Sequence, residues 1–368
     1  MILVFSSCTI NNRHNKYCYS NGCNYSVKWK KFFSYNRDIL DIINNDKYII
    51  IAKCNGVIQV IDINYGKKIW SKNFFYCIHH KLLNNLKLIK IYFINDKIYL
   101  FTNKAEIYTI NVNYGILMWY TTTVMPITSE LLLVNHLLII YSNNIIQAIN
   151  ENNGITKWIT SIYSNTTLSY NIITPVAFFG IVVIFSNNGI ISAISLDQGN
   201  IIWQRYIAIT KNKLINMICN QVKPIILNNI IYSININNNL IALDLYSGRI
   251  LWFVKIYVIS NLLYYSNHIY CIDSQYNLIS INIFNGDIIW LQKKINLCHT
   301  TIFLMYKNYL IIGNSYGFIY IFNILKNNVV CYIKTKNSSI NKILLIKKNN
   351  FLVLFNNQII NIIINFKY

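Results

Sequence analysis

The sequence has few prolines, few acidic residues and no hydrophobic run long enough to cross a membrane as a helix. Of its 368 residues, 3 are Pro and 12 are Asp or Glu. The longest apolar runs, such as residues 176–185, reach about half of the roughly 18 to 20 residues that a membrane-spanning helix needs. Length alone would allow one to three domains, but no Pro-, Gly- or Ser-rich linker divides the chain, which favours one continuous domain.

The excess of basic residues does not by itself indicate a nucleic-acid-binding protein. The formal net charge is +21, and 29 of the 33 basic residues are lysines scattered along the chain. Recognition of bases and phosphates favours the planar guanidinium group of arginine over lysine. The chain is also rich in Asn, Ile, Lys and Tyr, which share AT-rich codons, so we attribute much of the charge to genomic base composition. We expect no nucleic-acid partner.

The nine cysteines and six histidines lack the spacings of metal or disulfide sites. No CxxC motif and no adjacent cysteine pair occurs, and most cysteines stand alone in apolar runs, as small buried residues do. His79 and His80 are adjacent and would point to opposite faces of a strand. We therefore expect no metal site.

A glycine four residues before a tryptophan occurs six times and reveals an internal repeat. The pairs are Gly66 and Trp70, Gly115 and Trp119, Gly154 and Trp158, Gly199 and Trp203, Gly248 and Trp252, and Gly286 and Trp290. Ten residues before these glycines stand further turn positions: Gly56, Ala105, Asn144, Gly189, Asn238 and Tyr276. The residues between the two turns alternate, as in 189–199, so each repeat predicts about four short antiparallel strands.

Two degenerate copies raise the number of units to eight. Residues 309–331 keep Gly317 at the first turn, but Asn327 and Cys331 replace the second glycine and the tryptophan. Residues 350–366 contain inner strands only, and 25–32, with Trp29, supply the missing outer strand. A ring of blades protects open sheet edges. We predict an all-β fold over residues 25–368: an eight-bladed β-propeller of four-stranded antiparallel blades, closed by an N-terminal strand joining the C-terminal blade, after a tail of residues 1–24.

The tryptophan motif admits a binding and a structural interpretation. In the structural one, Gly248 supplies a turn with positive φ, Asp244 caps that turn, and Trp252 packs flat against the next blade. An active site would be unique, whereas this motif recurs around the ring. The recurrence favours the structural interpretation.

The best-preserved copy, Ala242, Asp244, Gly248 and Trp252, resembles the tryptophan-docking repeat of quinoprotein-like eight-bladed propellers. Two classes share that repeat: quinone (PQQ)-dependent dehydrogenases, and the non-enzymatic BamB family of outer-membrane β-barrel assembly lipoproteins. The dehydrogenases have an adjacent Cys-Cys pair, a carboxylate base and calcium ligands, and this chain has no Cys-Cys pair. The resemblance to the BamB family covers nearly the whole chain and implies a scaffold with no catalytic residues and no cofactor. A quinone-dependent enzyme is the alternative.

The resemblance also implies partners: the POTRA domains of BamA, other subunits of the BAM complex, and nascent outer-membrane proteins. In the family, two neighbouring loops contact BamA, one through a Leu-Ser-Leu-Arg motif and one through two aspartates one residue apart. The matching positions here are Leu168, Ser169, Tyr170 and Asn171 in the first loop, and Cys219 and Gln221 in the second. Because the charged residues are replaced, an apolar contact through Leu168 and Tyr170 is the hypothesis that remains. The alternatives are a solvated loop and addition of a partner strand to a blade edge.

Residues 4–8, VFSSC, are similar to a lipobox, with Ser6 and Ser7 preceding a cysteine that would be cleaved and acylated. Seven residues precede Cys8, without the basic and long apolar regions of a full signal peptide. We expect a lipid anchor on Cys8 that holds the protein at the periplasmic face of the outer membrane. An ordinary tail cysteine is the alternative.

Overall fold

The computed structural model contains 32 β-strands and one short helix among the residues that it describes. These residues are 23–32, 39–79, 86–162, 174–186, 189–207, 222–235, 239–293, 300–335, 339–347, 349–355 and 358–366. The strands form eight four-stranded antiparallel sheets, which are the blades of a propeller. None of the described helices is long and apolar enough to cross a membrane.

Blades 1 to 4 follow one another along the chain, each with its strands in sequence order. Blade 1 comprises β2 (Ile39–Asn44), β3 (Tyr48–Lys53), β4 (Val57–Asp62) and β5 (Lys68–Asn73), after which comes helix α1 (Phe74–His79). Blade 2 comprises β6 (Leu88–Ile94), β7 (Lys97–Thr102), β8 (Glu106–Asn111) and β9 (Ile116–Thr122). Blade 3 comprises β10 (Leu132–Val134), β11 (Leu137–Ser142), β12 (Ile145–Asn150) and β13 (Thr156–Ser161). Blade 4 comprises β14 (Val176–Phe178), β15 (Ile181–Phe185), β16 (Ile190–Ser195) and β17 (Ile201–Tyr206).

Blades 5 to 7 repeat the order, and blade 8 takes one strand from the other end of the chain. Blade 5 comprises β18 (Ile225–Leu227), β19 (Ile230–Ile234), β20 (Leu240–Asp244) and β21 (Ile250–Val254). Blade 6 comprises β22 (Leu263–Tyr265), β23 (His268–Ile272), β24 (Leu278–Asn282) and β25 (Ile288–Gln292). Blade 7 comprises β26 (Thr300–Tyr306), β27 (Tyr309–Asn314), β28 (Phe318–Asn323) and β29 (Asn328–Lys334). Blade 8 comprises β30 (Ile340–Lys347), β31 (Asn350–Phe355), β32 (Gln358–Phe366) and β1 (Cys23–Phe32).

Eight hydrophobic clusters hold the ring together, each shared by two consecutive blades. The second and third strands of a blade are therefore buried on both faces, as the run Ile49, Ile50, Ile51 in β3 illustrates. The cluster between blades 8 and 1 combines Ile61 with Leu352. The core is thus a closed series of interfaces between sheets, stabilised by burial of aliphatic side chains.

Strand β1 closes the ring as predicted. It pairs antiparallel with β32 from Cys23 opposite Phe366 to Phe32 opposite Gln358, with a bulge between Val27 and Trp29. Its described extent begins two residues before the predicted strand at 25–32. The eight-bladed propeller fold is therefore confirmed.

Tryptophans from the outer strands cover turn glycines of the following blade. The pairs are Trp29 and Gly66, Trp70 and Gly115, Trp119 and Gly154, Trp158 and Gly199, Trp203 and Gly248, and Trp252 and Gly286. A Cβ atom added to any of these glycines would lie 2.6 to 3.2 Å from an indole atom. All six glycines have positive φ, between 60° and 78°. The position therefore requires glycine for its backbone conformation and for the space that the ring occupies.

The same six tryptophans donate a hydrogen bond across the blade interface. Each indole N–H reaches a backbone carbonyl of the following blade at 2.7 to 3.0 Å; the acceptors are Ile63, Val112, Glu151, Leu196, Leu245 and Ile283. In blade 5, Oδ1 of Asp244 accepts hydrogen bonds from the N–H and hydroxyl of Ser247 and so caps the turn before Gly248. The indole thus buries its apolar ring while its polar atom keeps a partner.

Degenerate copies of the repeat keep the backbone conformation with other residues. Ala105, Asn144 and Tyr276 adopt positive φ at the first turn, where Gly56 and Gly189 stand in other blades, and Asn238 lies outside the described residues. In blade 7, Asn327 has a φ of 52° and Cys331 is buried in place of the tryptophan. Trp290 lies 5.6 Å, between ring centroids, from Phe322 of blade 7.

Glu151 replaces an apolar residue at the interface between blades 2 and 3. At the carbonyl-acceptor positions of the other five interfaces stand buried Ile, Val or Leu residues. The carboxylate of Glu151 is 3.2 Å from Nζ of Lys97 and 3.2 Å from Nδ1 of His136, and accepts a hydrogen bond from Tyr99. Burial opposes its charge, but the hydrogen bonds and charges of Lys97 and His136 outweigh that effect and hold the pKa of Glu151 below its ordinary value.

Two glycine-to-alanine variants separate backbone strain from the indole contact. Gly180 and Gly199 have nearly equal φ, 75° and 76°, but a Cβ on Gly180 would have no atom within 4 Å, whereas on Gly199 it would meet Trp158. We expect Gly180→Ala to cost about 1–2 kcal/mol of unfolding free energy, and Gly199→Ala about 1–3 kcal/mol more because of overpacking. Urea unfolding measures both. Equal losses of unfolding free energy in the two variants would show that the indole of Trp158 does not constrain position 199.

The Glu151 cluster predicts a contribution to acid unfolding. A carboxylate with a lowered folded pKa stabilises the protein above its unfolded pKa, about 4.3, and this stabilisation is lost as pH falls through the folded pKa. We expect Glu151→Gln to lower the unfolding free energy at pH 7 and to flatten its decline below about pH 4.3. Urea unfolding between pH 7 and pH 3 measures this. Asp197→Asn, which alters an exposed carboxylate, is the control, and matching pH profiles for the two variants would refute the cluster's role.

Candidate functional site

The two predicted partner-binding segments lie outside the described residues. Leu168, Ser169, Tyr170 and Asn171 belong to 163–173, and Cys219 and Gln221 belong to 208–221; Cys8 likewise precedes residue 23. The described residues show where the two connections start and end. One leads from β13 to β14 and the other from β17 to β18, so both join an outer strand to the inner strand of the next blade.

The alternation of strand direction gives the propeller two unlike ends. Connections between consecutive blades lie at the same end as the turns between second and third strands, and we call this the crossover end. The turns that contain Gly66, Gly115 and their equivalents lie at the opposite end. Both predicted partner-binding connections therefore belong to the crossover end, and they flank the same blade, blade 4.

A cavity of about 450 Å³ opens among the inner strands of blades 3 to 6, and we call it the channel-mouth cavity. Its lining residues are Leu132, Pro175, Val176, Ala177, Lys223, Pro224, Ile225, Ile226, Asn261, Leu262 and Leu263. The inner strands β10, β14, β18 and β22 have three residues each, whereas β2, β6, β26 and β30 have six to eight. The cavity therefore lies in the half of the ring whose inner strands are short.

The cavity wall is apolar except for one cation and one amide. Pro175 and Pro224 are buried at the starts of β14 and β18, where the fixed φ of proline stiffens the wall and its missing N–H costs no ladder hydrogen bond. Lys223 is exposed between the buried residues Val222 and Pro224. The arrangement can accept an apolar group and place a positive charge beside it.

The other half of the channel carries charges that are paired across blade boundaries. Lys342 of blade 8 lies 2.9 Å from Asp41 of blade 1, and Lys90 of blade 2 lies 3.4 Å from Glu130, which precedes blade 3. Burial lowers the pKa of Lys90, and Glu130 partly offsets this. Burial and the neighbouring carboxylates raise the pKa of Tyr92 on the same strand. These carboxylates therefore serve contacts between blades.

The carboxylates and thiols of the described residues have the following surroundings. Asp41 and Glu130 are each paired with a lysine. Among the ranges that the structure describes, no group of three or more His, Cys, Asp or Glu side chains could hold a metal ion. The thiol of Cys271 is buried, and burial raises its pKa to about 12, so it is not a reactive thiolate.

Sequence comparisons relate the repeat region to one family. The family model described as "Outer membrane protein assembly factor BamB" matches residues 54–292. The protein of that name from Moranella endobia (strain PCIT) is 28% identical over 226 residues, which are 58% of this chain and 57% of that protein. The Yersinia pestis protein is 25% identical over 283 residues, which are 74% of this chain and 70% of that protein. The Escherichia coli (strain K12) protein is 26% identical over 301 residues, which are 80% of this chain and 76% of that protein. The chain thus matches little more than half the length of the Moranella protein.

Solved structures share the fold at low sequence identity. BamB from Moraxella catarrhalis superposes with a TM-score of 0.71 at 14% identity, over 92% of this chain and all of that chain. The computationally designed protein Ika8 superposes with a TM-score of 0.66 at 13% identity, over 88% of this chain and 95% of that chain. The match to the family model runs from blade 1 through blade 6, which confirms the predicted resemblance, and the chain belongs to the BamB family of outer membrane protein assembly factors.

Proposed function

We propose that this chain is a non-catalytic scaffold subunit of the BAM complex, which folds and inserts β-barrel proteins into the outer membrane. The observation that carries the proposal is the family match over residues 54–292. The described residues agree with a scaffold, because the repeated Gly and Trp positions serve docking between blades, and Asp41 and Glu130 on the channel side are each paired with a lysine.

The proposed partners are the POTRA domains of BamA, other BAM subunits and nascent outer-membrane proteins. The two connections with the predicted contact residues leave and rejoin the propeller at the crossover end. Their described flanks are buried: Ile162 and Pro175 beside the first connection, and Ile207 and Val222 beside the second. Anchored neighbouring loops on a rigid ring suit recognition of a protein surface. Since the family's Arg and Asp residues are replaced, the proposed contact relies on Leu168 and Tyr170.

The proposed location is the periplasmic face of the outer membrane, with a lipid anchor on Cys8. The support is the lipobox-like sequence at residues 4–8 together with the family match. The chain enters the propeller at its outer rim, because β1 is the outermost strand of blade 8. The channel-mouth cavity would remain open to other subunits.

Truncation of the two proposed apolar anchors tests the partner contact. We expect the double variant Leu168→Ala and Tyr170→Ala to reduce co-purification of BamA from solubilised membranes by about tenfold, since each buried anchor contributes more than about 1 kcal/mol. Phe179→Ala is the control, because Phe179 is 79% exposed at the opposite end. Unchanged recovery of BamA with the double variant would remove these residues from the contact.

Replacement of the proposed lipidation site tests the anchor. We expect Cys8→Ser to abolish incorporation of a labelled fatty acid and to move the protein from the membrane fraction to the periplasmic fraction, because a noncovalent contact alone binds membranes weakly. Cys18→Ser, in the same tail, is the matched control and should leave both readouts unchanged. Labelled fatty acid on the Cys8→Ser variant would show that Cys8 is not the acylated residue.

A further inference from the structure

Charged residues lie at both ends of the propeller, but they differ in arrangement. In or next to the turns of the opposite end, the described acidic residues are Asp46, Asp62, Asp96, Glu151, Asp197, Asp244 and Asp287, and the basic residues are Lys47, Lys67, Lys68, Lys97, Lys157, Arg249, Lys307, Lys326 and Lys347. Acidic and basic side chains are therefore interspersed there. The crossover end carries exposed lysines in five different connections or turns: Lys87, Lys104, Lys223, Lys255 and Lys293.

Acidic residues at the crossover end are already engaged within the propeller. Asp41 and Glu130 form the ion pairs with Lys342 and Lys90. Glu106 accepts a hydrogen bond from the Tyr108 hydroxyl at 3.0 Å. Asp273 is buried and accepts hydrogen bonds from the backbone of Gln275 and Asn277 and from the Asn277 side chain.

The five exposed lysines take no part in the ion pairs that link described residues. The positive electrostatic potential of these lysines therefore extends into the solvent at the crossover end, where it attracts negatively charged groups.

Lys223 connects this charge to the channel-mouth cavity. It is one of the lining residues, and beside it the wall consists of Pro224, Ile225 and Leu262. A volume of about 450 Å³ lies within the range of roughly 300–1,000 Å³ that is typical of binding cavities. An apolar group in this cavity would lose its contact with water, and an acidic group next to it would lie beside the Lys223 ammonium.

We propose that the channel-mouth cavity binds an acidic peptide segment of a partner protein, with one apolar side chain inserted in the cavity and a neighbouring carboxylate paired with Lys223. The identity of that partner as an assembly subunit rests on the proposed function, but the chemistry of the segment does not. A protein segment suits the cavity better than a lipid surface or nucleic acid does, because the wall combines a single cation, Lys223, with apolar residues from four blades, and lipid headgroups or phosphates would leave that apolar wall unmatched.

A labelled peptide tests the proposal on the full chain. The probe is a fluorescein-labelled nonapeptide in which two aspartates stand on each side of a central phenylalanine, and fluorescence anisotropy measures its affinity. We expect Lys223→Glu to weaken binding by about tenfold, because one close charge pair becomes a repulsion. Lys104→Glu reverses a charge at the same end outside the cavity lining and should change the affinity less than about threefold, as a distant screened charge does. Equal effects of the two variants would overturn the assignment of Lys223.

Changes in the probe and in the cavity supply an independent readout. Peptides with Asn in place of Asp, or with Ala in place of Phe, should bind about tenfold more weakly. Ala177→Phe, which fills the cavity, should weaken binding of the parent peptide, and urea unfolding shows whether this variant is folded. Should it fail to fold, the Lys223 variant and the altered peptides still decide the question. Equal affinity for all three peptides would overturn the proposal.

Two further comparisons distinguish a peptide from other anionic ligands, and distinguish this inference from the proposed function. Phosphatidylglycerol vesicles and a 20-base-pair DNA duplex serve as anionic probes, and Lys223-dependent binding of either, without binding of the acidic peptide, would overturn a protein occupant. If the wild-type chain recovers BamA but does not bind the peptide, the present inference is wrong and the proposed function stands. If it binds the peptide but recovers no BamA, the proposed function is wrong and the inference stands.

Discussion

The stacking of an outer-strand tryptophan over a glycine turn of the next blade is the contact on which the rest of the ring depends. The contact fixes both the distance and the orientation between two neighbouring blades. The indole ring lies on the glycine turn, and its N–H donates a hydrogen bond to a backbone carbonyl next to that turn, as Trp158 does to Leu196. The contact recurs at six of the eight interfaces, from the one between blades 8 and 1 to the one between blades 5 and 6, and gives those sheets a similar spacing. Aliphatic clusters lie at all eight interfaces, but their contacts have no direction, whereas the indole N–H adds a directional hydrogen bond.

The departures from this uniform framework occupy particular places. Blades 3 to 6 have short inner strands, and the channel-mouth cavity lies there, whereas the boundaries between blades 8 and 1 and between blades 2 and 3 carry ion pairs. The crossover end also carries the five exposed lysines and the connections that the family resemblance links to a partner. Specificity in a repeat protein arises from such departures, because the repeated positions are committed to holding neighbours.

Spacing in the sequence was sufficient to predict the framework, since each repeat carries a glycine that receives the tryptophan of the preceding blade and, four residues later, a tryptophan directed to the next blade. It also identified Ala105 and Tyr276 as turn positions, and the structure shows that both adopt positive φ. The Glu151 cluster was not predictable in this way, since Lys97 and His136 come from hairpins of two blades and share no motif with it. The cavity was missed for the same reason: Pro175, Lys223 and Leu262 come from three blades and meet only in the closed ring. The predicted contact residues from Leu168 to Gln221 stay predictions.

The pairing of β1 with β32 sets the order in which the molecule can be completed. Trp29 on β1 docks against blade 1, and Asn361 on β32 donates a hydrogen bond to the carbonyl of Ile63, 298 positions away in the chain. A chain that emerges N-terminus first must therefore leave β1 without its partner strand until every other blade has been synthesised. Contacts of such long separation form late and slowly, and an open sheet edge remains until they do. β1 is therefore the first strand of the propeller to be synthesised and the last to become stable.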